Sequence, residues 1–195
     1  MKLFSLISTA LFCICLVSSC NQGTQSAPVA KSSIEGYNAV SLGNYNKLTS
    51  NHPEGGLLEE GFARNGSKEG TWLKYDKEGN LIGITSYMDG NINGPDIEMN
   101  NRGQITKKQY YLEGTPHGIS GEYKFGRATK EMNYTNGQLD GLYQEFYNNG
   151  KLQRSITYVD GVMDGPMKYY NEEGEVTLEY TYKNGEKVGE GVLKK

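Results

Sequence analysis

Residues Asp140 to Gly165, DGLYQEFYNNGKLQRSITYVDGVMDG, hold one full period of a pattern that recurs on both sides of them. One glycine series runs Gly70, Gly94, Gly118, Gly141, Gly165 and Gly189, in steps of 24, 24, 23, 24 and 24 residues. A second series, Gly79, Gly103, Gly126, Gly150 and Gly174, follows nine residues behind, or eight in the third copy, which has lost one residue. A third, Gly90, Gly114, Gly137, Gly161 and Gly185, sits three residues after Tyr87, Tyr111, Tyr134, Tyr158 and Tyr182. A fixed period of this length is the mark of a repeat architecture.

Glycine at such intervals, often after Asn or Asp as in Asn149-Gly150 and Asp160-Gly161, supplies the positive φ that tight hairpin connections need. The glycines therefore predict turns, and the segments between them, such as 142–147 and 152–158, have strand length and are rich in aromatic and β-branched residues. Side chains alternate along a strand, so positions two, six and eight after the mid-repeat glycine share a face. The sixth position reads Thr85, Gln109, Met132, Ile156 and Tyr180, and the eighth is always tyrosine. These tyrosines are expected in the core. Five hairpins with short links can lie only side by side. The expected fold is all-β: an elongated antiparallel meander of about ten or more strands, stacked β-hairpin repeats in a single twisted, curved sheet.

The residues of the repeat resemble the MORN repeat, and more closely its bacterial variant: Asp-Gly and an aromatic residue, a turn with glycine, then Tyr-x-(Asn or Asp)-Gly. The resemblance covers Gly66 to Gly191, about two-thirds of the chain. It departs in the second copy, where Asp96 takes the first aromatic position and Met99 the second, and in the shortened third copy. Bacterial proteins of this type include YwqK-type antitoxins, so the resemblance implies either a binding scaffold or a protein that neutralises a toxin.

Residues 1–19 carry one lysine and an apolar run too short for a permanent span, which reads as an export signal. The run ends Leu16-Val17-Ser18-Ser19-Cys20, which is similar to a bacterial lipobox and implies acylation of Cys20. Cys13 and Cys15 lie inside the signal and no cysteine follows Cys20, so the expected mature domain has neither disulfide nor thiol chemistry. Residues 20–33 lack aromatic residues and read as a disordered tether. Residues 34–68, with Phe62 and Asn65-Gly66, read as an N-terminal cap with a degenerate repeat, and 69–195 as five repeats closed by a short edge strand. The expected location is the outer membrane, facing the periplasm.

A net charge of −3 speaks against a general nucleic-acid binder. His52 and His117 are the only histidines, and no nucleophile elbow is present, so no catalytic residue, metal site or cofactor is expected. Glu98, Glu122 and Glu145 recur at one repeat position and read as a solvated strand face. Four residues after the mid-repeat glycines stand Gly83, Lys107, Lys130, Arg154 and Leu178. Its three cations should lie roughly 9.5 Å apart beside the tyrosines, two strand spacings between neighbours. Lys107, Lys130 and Arg154 are thus the candidate binding face, for an unknown protein or anionic envelope polymer. Long cationic stems covering an aromatic column would give the same pattern.

Overall fold

The computed structural model describes residues 34–189 and 191–193, so the expected signal peptide, Cys20 and the tether lie outside the described residues. Sixteen strands follow one another: β1 (Asn38–Leu42), β2 (Tyr45–Asn51), β3 (Leu57–Arg64), β4 (Ser67–Tyr75), β5 (Leu81–Met88), β6 (Asn91–Met99), β7 (Ile105–Leu112), β8 (Thr115–Pro116), β9 (Gly118–Lys124), β10 (Arg127–Thr135), β11 (Gln138–Phe146), β12 (Leu152–Val159), β13 (Val162–Tyr170), β14 (Val176–Lys183), β15 (Glu186–Lys187) and β16 (Val192–Leu193). They form one open antiparallel sheet in which sequence neighbours pair, the short β8 lying beside β7 and β16 beside β14. The fold is the expected all-β meander. Residues 34–68 contribute β1 to β3 and the start of β4.

Two kinds of turn connect the strands. Asn65-Gly66, Asp89-Gly90, Glu113-Gly114, Phe125-Gly126, Asn136-Gly137, Asp160-Gly161 and Asn184-Gly185 all have positive φ at both residues, the type I′ geometry whose twist matches that of the strands it joins. At the other side of the sheet, Gly79, Gly103, Gly150 and Gly174 donate their N–H to the carbonyls of Asp76, Asn100, Tyr147 and Asn171, closing three-residue loops with glycine at the left-handed position. The third copy lacks one residue here, and its loop becomes the two-residue turn Phe125-Gly126 between the paired Lys124 and Arg127.

Within the five full copies the opening glycines do not form turns. Gly70, Gly94, Gly141 and Gly165 lie inside strands and Gly118 begins β9, opposite Tyr87, Tyr111, Tyr158, Tyr182 and Tyr134 respectively. Each marks a bulge against the preceding strand. Register passes from Thr85↔Asp96 to Tyr87↔Ile92, leaving Asn93, Gly94 and Pro95 opposite Ser86 alone. A bulge and a turn both demand positive φ, so glycine spacing alone does not separate them. The first strand of each repeat therefore starts upstream, at the type I′ turn. Those turns are also tied to the previous copy: the N–H groups of Gly90, Gly114, Gly137, Gly161 and Gly185 donate to the carbonyls of Lys68, Ile92, Pro116, Leu139 and Met163 at 2.8–2.9 Å.

The repeat tyrosines define one face of the sheet, and the buried apolar side chains Leu48, Ala63, Trp72, Ile92, Ile156 and Met167 lie on it. Trp72 is 1 % exposed. Its ring covers Gly61, where an added Cβ would meet ring atoms at 2.3 Å. Ile34 and Tyr37 pack on this cluster and bind the N-terminal end to it. Lys68 is buried there, with its Nζ 3.8 Å from the Trp72 ring centre and 5.2 Å from those of Tyr37 and Tyr87. Glu59 neutralises it at 2.9 Å and also accepts the Tyr37 hydroxyl. The tyrosine column itself is half-buried rather than core, because a single-layer sheet has no second layer to cover the rings.

Candidate binding face

Three parallel rows cross the strands on the tyrosine face. The first sets tyrosines between the opening glycine of one neighbouring strand and an apolar residue of the other, as in Gly70, Tyr87 and Ile92 or Gly94, Tyr111 and Pro116. Burial raises the pKa of Tyr111, Tyr134 and Tyr158 above the ordinary phenol value, and at Tyr111 the carboxylates of Asp96 and Glu98 add to it.

The second row is a ladder of alternating charge. Register runs Glu98↔Lys107↔Glu122↔Lys130↔Glu145↔Arg154 across six adjacent strands. Lys107 lies 3.5 Å from Glu98, Lys130 3.3 Å from Glu122, and Arg154 2.7 Å from Glu145. The structure thus places Lys107, Lys130 and Arg154 in one row and sets a carboxylate beside each. The recurrent glutamates are not merely a solvated face: they are the partners of the cations. Turn geometry brings the two columns together, because the loops and bulges between strands fix which residues stand opposite. The tightest pair is Glu145 with Arg154. Burial opposes ionisation of Glu145, but hydrogen bonds from the Tyr143 hydroxyl at 2.7 Å and the Arg154 guanidinium at 2.7 Å outweigh it and hold its pKa below the usual value. Burial, reinforced by the hydrogen bond to Glu145, pushes Tyr143 up to about 12.

Between these rows runs the third: Trp72↔Thr85↔Asp96↔Gln109, then Ser120↔Met132↔Tyr143↔Ile156↔Met167↔Tyr180. Its C-terminal part is apolar and packed, with the Tyr143 and Tyr158 rings edge to face at 6.3 Å. Its middle is polar. Gln109 and Ser120 are only 5 % and 3 % exposed; Thr85 donates to Asp96 at 2.6 Å, and Gln109 to the Tyr110 carbonyl at 3.0 Å. Thr85, Asp96, Gln109 and Ser120 thus form a polar floor four strands wide, with Tyr87, Tyr111 and Tyr134 on one side and Glu98, Lys107 and Glu122 on the other. In the sequence Asp96 stands out as a departure from the repeat, but the other three become its neighbours only across paired strands.

Among the described residues no three His, Cys, Asp or Glu side chains come together as a metal would require, and no helix is long and apolar enough to cross a membrane. His117 occupies the break between β8 and β9, its Nδ1 buried and without a hydrogen-bond partner.

Fold and face together define a hairpin-repeat protein that offers a long, side-chain-built surface. A sequence model of the MORN repeat variant matches residues 68–89, 139–160 and 163–184, the first, fourth and fifth copies. The two unmatched copies are the second, which sets Asp96 and Gln109 in the central row, and the third, which sets Ser120 there and has the short loop. MORN repeats are in general non-catalytic and bind proteins or membranes. No curated protein matches the chain.

Proposed function

We propose that this chain is a non-enzymatic scaffold, anchored by lipid on Cys20 in the outer membrane facing the periplasm, that holds a protein or envelope partner on its tyrosine face. The observation that carries this reading is the polar floor that runs from the first copy through the second into the third. Packing alone would keep apolar residues in the central row, as the fourth and fifth copies do; Thr85, Asp96, Gln109 and Ser120 give up that stabilisation where three tyrosines flank them. The charge ladder refines the partner. Each cation already faces a carboxylate, so a polyanion would have to displace three acidic groups, and hydrogen bonding with aromatic contact is favoured over net charge.

Affinity capture from envelope extracts tests this, using the wild-type chain, Asp96→Tyr, and a variant with Lys107, Lys130 and Arg154 all changed to Gln. Asp96→Tyr fills the floor and should lose the captured partner at least tenfold, whereas the triple variant should keep most of it with little salt dependence. Equal capture by wild type and Asp96→Tyr would remove the floor from the site. A toxin as the captured partner would make the scaffold a neutralising protein. Cys20→Ala should move the chain from the membrane to the soluble fraction; retention in membranes would refute the anchor.

A further inference from the structure

The two ends of the sheet are finished differently. At the C-terminal end, the described residues after β14 form only two-residue segments, β15 as Glu186-Lys187 and β16 as Val192-Leu193. Short, charged edge strands are the usual means of preventing further pairing. At the other end, β1 reads Asn38-Ala39-Val40-Ser41-Leu42 and pairs with β2 on one side only. It has no charge, proline or bulge, and all five residues are exposed, Val40 at 62 % and Leu42 at 53 %. The described residues before it do not cover its outer edge: Ile34 and Tyr37 pack on Leu48 and Trp72, on the tyrosine face.

We propose that β1 pairs antiparallel with β1 of a second copy of this chain, making a two-fold dimer with one continuous sheet. The strand is self-compatible. Centred on Val40, the pairing sets Val40 against Val40, Asn38 against Leu42 and Ala39 against Ser41, with no like charges opposed. The nearest charge on the Val40 side, Lys47, is held by Glu60 at 2.9 Å, so it does not repel its equivalent across the axis. Leu42, set against Asn38 of the second copy, borders an apolar groove of about 590 Å3 that Tyr45, Phe62, Tyr87 and Met88 line together with Glu69. Because the opposite end of the sheet is blunt, the contact closes at two copies instead of propagating into a filament.

A photo-cross-linking residue at Val40 of the full chain should give a band at twice the monomer mass, and the same probe at Val192 should give none. Adding Leu42→Lys to the Val40 probe should cut the dimer band at least tenfold while the melting temperature, read by circular dichroism, moves by no more than a few degrees. Absence of a doubled band at Val40, a cross-link confined within one chain, a cross-link to a different protein, an equal band from Val192, or a dimer that survives Leu42→Lys with the fold intact would each overturn the proposal.

Discussion

At the residue scale the ladder shows how burial decides what a charge pair contributes. Glu98 and Lys107 have side chains 57 % and 43 % exposed, whereas Glu145 and Arg154 are at 23 % and 29 %. Exposed pairs are worth close to nothing, but the Glu145 carboxylate also accepts from Tyr143, and charge-assisted hydrogen bonds are the stronger class. Glu145→Gln should therefore lower stability by about 1 kcal/mol at neutral pH, while Glu98→Gln should change it by less than about 0.5 kcal/mol. The sign with pH follows from the depressed pKa of Glu145. Its contribution is present above the unfolded-state value and is lost as pH falls through the lower folded value. Thermal unfolding of wild type and Glu145→Gln at pH 7 and in strong acid should show a gap at the first and convergence at the second; a gap independent of pH would rule out the carboxylate as its source.

At the element scale the turns explain both what the sequence made legible and where it misled. The Asn-Gly and Asp-Gly pairs placed the hairpins, and the meander followed from their spacing. Spacing does not tell the opening glycines from turn glycines because a bulge asks of the backbone what a turn asks, and the glutamate and cation columns come together only in the paired register. The polar floor was hidden for the same reason. Phe125 offers a test at this scale. It sits at φ 53° in the shortened loop and is 73 % exposed, so it bears left-handed strain of about 1–2 kcal/mol for a residue with a Cβ and gains little from packing. The Lys124 ammonium 5.6 Å from its ring centre returns only part of that, about 0.5 kcal/mol at an exposed site. Phe125→Asn, which tolerates this conformation, should raise stability by about 0.5–1 kcal/mol, a rise of a few degrees in melting temperature. A fall would show that the ring packs in solution more than its exposure indicates.

At the scale of the whole molecule, each copy touches only its neighbours, so stability is a chain of local contributions and the weakest junction opens first. That junction lies between β7 and β9. β7 is aligned with β9 at Lys107↔Glu122 and Lys108↔Gly121 and with β8 at Tyr111↔Pro116 and Leu112↔Thr115, four pairs in all, whereas β5 and β6 align at five and β9 and β10 at seven. The break at His117 falls beside it with a buried, unpartnered Nδ1, and a group in that condition costs about 1–3 kcal/mol. The polar floor crosses the same junction through Gln109 and Ser120, replacing apolar burial such as the Ile156–Met167 pair supplies further along. Hydrogen exchange should therefore reach β7 to β9 before β11 to β13, with the N-terminal end held longer by Trp72 and the Lys68–Glu59 pair. Partner binding on the floor bridges strands on both sides of the junction and should slow exchange there more than anywhere else in the sheet. Uniform protection across all copies would mean that the junction is no weaker than the rest. Faster exchange in β11 to β13 would place the weak point in the apolar copies, and the floor would then no longer stand as a concession of stability to binding.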